Sequence, residues 1–275
     1  MPGEAMKTRA SILALCAAAL IAGTSAPADA QLKGKGRGGG GAAPSQSKEF
    51  FESIGQIAVG LVPVYPTAAT CPQISSPFGS LTRYDGSPRV NDHFGFHNGM
   101  DITAGEGTPL IAVAAGQVVH SGEGGPLVGN FVWLRHAPED TGLPVHLYSR
   151  YQHLDRPSKL ANGVRLAVGE YVGPAGKTGT AGPYFGPAGY SHLHLLILAS
   201  DGAEYEIQGA VVQPVDRRFL DPLAIYIRAQ VTFDNRFLRD LPEAEKRVAI
   251  PYQTADGARE PAGTKLVWPL ACRKN

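Results

Sequence analysis

Ser191-His192-Leu193-His194-Leu195 runs on through Leu196, Ile197 and Leu198. A short apolar run of this kind reads as a β-strand. Side chains alternate faces along a strand, so His192 and His194 point the same way. Two imidazoles side by side on an apolar strand have two readings. They are satisfied core histidines, or they belong to a metal site, because imidazole is a common ligand for zinc and similar ions. The strand by itself leaves both readings open.

Further strands are expected upstream, at Leu110 to Ala114, Gln117 to Ser121, Asn130 to His136, Val145 to Leu154 and Arg165 to Val172. Glycines punctuate them at Gly105, Gly107, Gly116, Gly122, Gly124, Gly125 and Gly129. Short strands between glycine turns predict a mainly β fold, an antiparallel sheet, sandwich or open barrel. The 34 glycines and 22 prolines among 275 residues point the same way. A formal net charge of +1 gives no electrostatic case for nucleic acid.

The first thirty residues read as a secretory signal peptide. Lys7 and Arg9 form its basic region, Ile12 to Ala22 its apolar region, and Ala28-Asp29-Ala30 the small residues before a cut at Gln31. The apolar region is too short to span a bilayer as a folded helix, and no transmembrane segment is expected in the mature chain. Cleavage leaves Cys71 and Cys272. In an oxidising compartment they can form one disulfide, the alternative being two free thiols or zinc ligands. Residues 31–47 form a glycine-rich linker. Residues 48–70 hold a connector and an amphipathic helix over Lys48 to Leu61, closed by Pro63 and Pro66. A β-rich domain is expected over 71–225, and an extension packed on it over 226–275.

Two more stretches carry metal-binding chemistry. In Phe96-His97-Asn98-Gly99-Met100-Asp101-Ile102, a turn at Gly99 would let His97 and Asp101 converge on one ion. Tyr151-Gln152-His153-Leu154 closes a strand. In order, His-x-x-x-Asp, Tyr-x-His-Leu and His-x-His resemble the LytM/lysostaphin-type zinc metallopeptidases, which cut peptide cross-links of bacterial peptidoglycan. The resemblance covers roughly Ser76 to Leu223. Gly107-Thr108-Pro109-Leu110, Gly116-Gln117-Val118-Val119, Gly176-Lys177-Thr178-Gly179 and Asp221-Pro222-Leu223 agree with it.

The resemblance implies a lysostaphin-like fold, a sheet or open sandwich with a groove. It implies Zn²⁺ held by His97, Asp101 and His194, a three-ligand set that leaves one position open for chemistry. It implies that His153 and His192 lie beside the metal, for proton transfer and oxyanion stabilisation. Arg83 and Arg89 resemble arginines placed to contact a substrate carboxylate; solvated loop arginines are the alternative. The segment between Gly179 and His192 is longer than the family's turn. Its Pro183-Tyr184-Phe185-Gly186-Pro187 is expected near the metal, with Tyr184 a substrate contact or part of a cover that a regulatory protein partner opens. The remaining histidines, His93, His120, His136 and His146, are expected at surface or loop positions.

The function implied is an exported endopeptidase, periplasmic or bound to the cell envelope, acting on peptidoglycan cross-link peptides. The alternative is a non-catalytic relative that binds the wall or activates another hydrolase, though such relatives typically lack ligands and here all five positions are filled. Without the resemblance, two histidines and an aspartate also suit the facial triad of a non-haem iron oxygenase.

Overall fold

The structure is a computed structural model that describes residues 47–89, 95–180, 189–227 and 232–275. Along the chain, helix α1 (Lys48–Ser53) precedes the short strands β1 (Val62–Val64), β2 (Ala69–Thr70) and β3 (Ile74–Ser76). Next come β4 (Met100–Thr103), β5 (Pro109–Ile111), β6 (Gly116–Glu123), β7 (Asn130–His136), helix α2 (Pro138–Thr141) and β8 (His146–Leu154). They are followed by β9 (Arg165–Leu166), β10 (Tyr171–Pro174) and β11 (His192–Ser200). A hairpin of β12 (Tyr205–Gln208) and β13 (Val211–Pro214) leads into β14 (Arg218–Leu220) and a 3₁₀ turn at Pro222–Tyr226. The chain ends with α3 (Asn235–Arg239), β15 (Arg247–Ala249), β16 (Tyr252–Gln253), β17 (Arg259–Glu260) and β18 (Arg273–Lys274).

Eight strands form the main sheet in the order β3-β4-β11-β8-β7-β6-β9, with β14 pairing the far end of β11. Every pairing in it is antiparallel, as the glycine-punctuated short strands predict. All nine residues of β11 are buried. Leu193, Leu195 and Ile197 join the larger core with Met100, Ile102 and Tyr151. Leu196 and Leu198 join a smaller core on the other face with Phe131, Trp133, Tyr148 and Phe219. A strand covered on both sides reads as a continuous apolar run, which is why its alternation does not show in the sequence. Truncating Leu195, fully buried, to Ala would cost about 2–5 kcal/mol through lost burial and the cavity left.

The C-terminal residues are stitched to this core. The Ile111 amide donates to the Pro269 carbonyl at 2.9 Å, and the Val267 amide to the Val113 carbonyl at 2.8 Å. Trp268 is fully buried, and its indole N–H reaches the Pro72 carbonyl at 3.1 Å. A disulfide joins Cys71 to Cys272 across 201 positions of sequence.

Three local expectations are corrected. The helix begun at Lys48 stops at Ser53 instead of running to Leu61. The Ile54 carbonyl accepts the Phe219 amide at 2.7 Å, and Gly55 turns the chain at φ +86°. A Cβ there would lie 2.6 Å from the Phe219 carbonyl oxygen, so contact with β14 overrides helical periodicity. The stretch Arg165 to Val172 is two strands, β9 and β10, divided by a turn with Gly169 at φ +76°. His136 is fully buried on β7, not at the surface. Its Nδ1 lies 2.7 Å from the Ala115 carbonyl and its Nε2 2.8 Å from Ser149 Oγ, so the neutral ring is satisfied inside. His120 and His146 are half-buried. His93, the signal peptide, the linker up to residue 46 and the Pro183–Pro187 stretch lie outside the described residues. Among the described residues no helix is long and apolar enough to cross a membrane.

Candidate metal centre and active site

The site grows from the pairing of β4 with β11. Asp101 stands directly opposite His194 in that register, and His192 opposite Thr103. Cross-strand partners share a face, so Asp101, His192 and His194 meet there. His97 precedes β4 and is brought over them by the turn at Asn98 and Gly99. His97 Nε2, Asp101 Oδ1 and His194 Nδ1 form a triangle with sides of 3.2, 2.9 and 3.1 Å. All three residues are buried. A Cβ on Gly99 would sit 2.5 Å from His194 Nε2, so only glycine lets the backbone pass so close to the ring.

The surroundings orient each of these atoms. His97 Nδ1 lies 2.9 Å from the Pro77 carbonyl. A carbonyl only accepts, so that nitrogen carries the proton and Nε2 presents its lone pair. Arg89, itself buried, reaches Asp101 Oδ2 at 3.4 Å and Ser76 Oγ at 3.0 Å. The Tyr190 hydroxyl reaches the same Oδ2 at 3.3 Å. Burial would push the Asp101 carboxyl up, but His97 and His192 beside it, with hydrogen bonds from His192 and His194, hold it well below the usual range. Burial pushes His194 down to about 3 against the pull of Asp101, so its ring is neutral at physiological pH. A cation at the centre of the triangle would take the place of the proton that His194 Nδ1 shares with Asp101, leaving three donor atoms turned on it. Two imidazoles with one carboxylate are the donors that zinc takes.

His153 arrives by a different route. On β8, Arg150 and Gln152 occupy the histidine face, opposite Leu196 and His194 of β11. Strict alternation would send His153 to the other face. Instead the register with β7 slips between the pairs Asn130–Leu154 and Val132–Tyr151, and His153 takes φ +63°. Such a bulge, with a left-handed non-glycine residue, re-aims one side chain at the cost of local strain. The ring ends 4.6 Å from the centroid of His192 and 5.9 Å from that of His194. Its Nδ1 lies 2.8 Å from the Thr178 carbonyl, so the proton sits there and Nε2 is the accepting nitrogen. Burial, then the neighbouring His192 and His194, hold His153 well below its ordinary pKa. His192 is braced similarly, with Nδ1 3.2 Å from the Tyr190 carbonyl and the Tyr190 ring stacked on it at 4.0 Å and 9°.

The structure thus brings together His97, Asp101, His194, His153 and His192. Arg89 lies against Asp101 and not in solvent. Arg83 is buried in its own loop, where Nη1 donates to the Pro88 carbonyl at 2.6 Å. Tyr184 lies outside the described residues. Ser76, Tyr190 and Thr178 support the site and were not singled out for it from the sequence. They are ordinary polar residues whose roles arise only from tertiary contacts.

Residues 95–205 match the model of peptidase family M23. The chain carries a peptidase family M23 domain. A curated uncharacterized metalloprotease of Haemophilus influenzae is 30% identical over 144 residues, which are 52% of this chain and 24% of that protein. The DD-carboxypeptidase/endopeptidase Mpg of Neisseria meningitidis is 35% identical over 144 residues, 52% of this chain and 26% of that protein. The chain thus spans about a quarter of the length of these relatives. Among solved structures, the catalytic domain of lysostaphin from Staphylococcus simulans is 20% identical, with a TM-score of 0.39 over 56% of this chain and 90% of that one. A zinc containing peptidase from Vibrio cholerae is 23% identical, with a TM-score of 0.36 over 57% of this chain and 37% of that one. The metal-triangle residues, together with His153 and His192, all fall inside the M23 match.

Proposed function

We propose that this M23 domain is a zinc-dependent endopeptidase that hydrolyses peptide cross-links of bacterial peptidoglycan. The observation that carries the reading is the buried triangle of His97, Asp101 and His194 with two further imidazoles, His153 and His192, standing beside it. The first three residues would hold the ion. When bound, zinc supplies Lewis acidity, polarising a carbonyl and acidifying water at neutral pH.

The chain's own residues then do the proton work. His153, neutral and with Nδ1 pinned to Thr178, offers Nε2 as a base. His192, clamped by Tyr190, holds the second imidazole 4.6 Å away. Two imidazoles at that spacing suit a pair that takes a proton from water and returns one to a leaving amine. The imidazole that is charged also donates a hydrogen bond to developing negative charge. Arg89 and the Tyr190 hydroxyl hold Asp101 from its outer oxygen. The Cys71–Cys272 bond accords with an oxidising compartment.

The test is incubation of the purified protein with cross-linked muropeptides, with and without zinc, followed by mass analysis. The expected result is zinc-dependent conversion of cross-linked to uncross-linked products. A zinc-loaded protein that cuts none of several cross-link chemistries would overturn the reading in favour of a wall-binding or activating role.

A further inference from the structure

The groove that holds the metal triangle continues along the sheet as a cavity of about 360 Å³. Beyond the histidines it is lined by Trp133, Arg150, Gln152, Leu196, Leu198 and Phe219, among others. Besides His194 Nε2, two polar atoms in its wall are buried and have no partner among the described residues, Arg150 Nε and Gln152 Oε1. Arg150 is only 6% exposed. Its guanidinium carbon lies 5.1 Å from the centre of the Trp133 ring, and among the described residues no carboxylate pairs with it. Asp101 is the single acid among the described lining residues, and it is already engaged by Arg89 and the histidines. Burying a guanidinium without a counter-charge is expensive, and arginine's fork matches a carboxylate in two parallel hydrogen bonds. Burial pushes its pKa down to about 9, which still leaves it charged at neutral pH.

Resting on the peptidase reading above, we propose that Arg150 and Gln152 form a specificity subsite for a substrate carboxylate next to a peptide N–H. Arg150 donates to the carboxylate, and Gln152 Oε1 accepts from the N–H. Gln152 pairs with the ligand residue His194, and Arg150 with Leu196 two positions along. Residues two apart on a strand are separated by about 7 Å. The carboxylate therefore belongs to a residue within about two of the bond that is cut. A phosphate or sulfate offers no N–H for Gln152, and an apolar side chain satisfies neither atom. Trp133, Leu196 and Leu198 supply an apolar wall for the aliphatic part of the same residue.

The test uses two synthetic cross-linked muropeptides. In one, the residue that contributes the cross-link amine carries a free α-carboxylate; in the other it is the carboxamide. Binding is measured by calorimetry on the metal-stripped full chain, and cleavage on the zinc-loaded chain. The wild type is expected to bind the carboxylate form about 10- to 100-fold more tightly, the range for a hydrogen bond to a charged group. Arg150→Met should bind both forms equally at the weaker level, with zinc content unchanged. Arg150→Lys, which keeps the charge but loses the fork, should retain part of the preference. Equal binding of the two forms by wild type overturns the subsite without any variant, as does binding of neither. A preference that survives in Arg150→Met overturns it too. A wild type that prefers the carboxylate but cuts nothing sinks the peptidase reading and leaves the subsite standing.

Discussion

His194 Nδ1 stands 2.9 Å from Asp101 Oδ1 across two antiparallel strands in register. The pairing ties the proposed metal site to strand register as much as to ligand identity. His194→Ala removes one of the three converging atoms, and zinc content after dialysis should fall sharply while the fold persists. Normal zinc stoichiometry in folded His194→Ala would rule the ligand set out. Gly99→Ala keeps all three ligands but forces a Cβ to 2.5 Å from His194 Nε2. Its zinc affinity should drop by about 10- to 100-fold, the usual effect of disturbing a group that orients a ligand.

His153 and His192 are assigned to proton transfer and not to metal binding. His153→Ala and His192→Ala should each keep zinc and lose about 10²- to 10⁴-fold in the rate of muropeptide cleavage. Cleavage at the wild-type rate by both zinc-loaded variants would leave the peptidase but remove these roles.

The Cys71–Cys272 bond closes a loop of 201 positions and ties the last residues to the start of the sheet region. Its reduction should lower stability to urea by about 3–5 kcal/mol. Unchanged urea midpoints with and without reductant would show that the bond contributes little. Thiol labelling of the denatured, unreduced protein is the companion measurement, and the expected count of reactive thiols is zero in the chain cleaved after residue 30.

His136 gives a pH signature. Folded, burial takes it down to about 4, against the ordinary 6.5, with Asp140 pulling it up and Arg165 pushing it down. The unfolded chain therefore binds more protons between these values, so stability is full above about pH 6.5 and is lost as pH falls toward 4. Between pH 7 and pH 5 the loss is about 2 kcal/mol. Asp221 acts in the opposite sense, since burial raises its carboxyl to about 7 and its contribution is lost as pH rises through that value. The comparison is therefore between wild type and His136→Gln, in which Asp221 cancels. The variant's unfolding free energy should fall less between pH 7 and pH 5, by about 2 kcal/mol. Parallel pH profiles would contradict a neutral buried His136.

By itself the sequence determined the strand class, because β11, β7 and β8 carry apolar runs bounded by turn residues. It also determined the donor types, since His-x-x-x-Asp and His-x-His put imidazole and carboxylate at spacings that a turn and a strand bring together. Local periodicity held where one element decides its own surroundings. It failed where a distant partner decides: α1 stops at Ser53 because Ile54 bonds to Phe219, over 160 residues away in sequence. The resemblance alone set His153 beside the site, against the strand alternation of its own position; how it gets there was decided by the tertiary structure, in a bulge against β7 and a left-handed backbone that reverse the alternation. Arg150 looks in sequence like any arginine within a strand. That no described residue supplies it a counter-charge is a fact about several surrounding strands at once, and no local pattern encodes it.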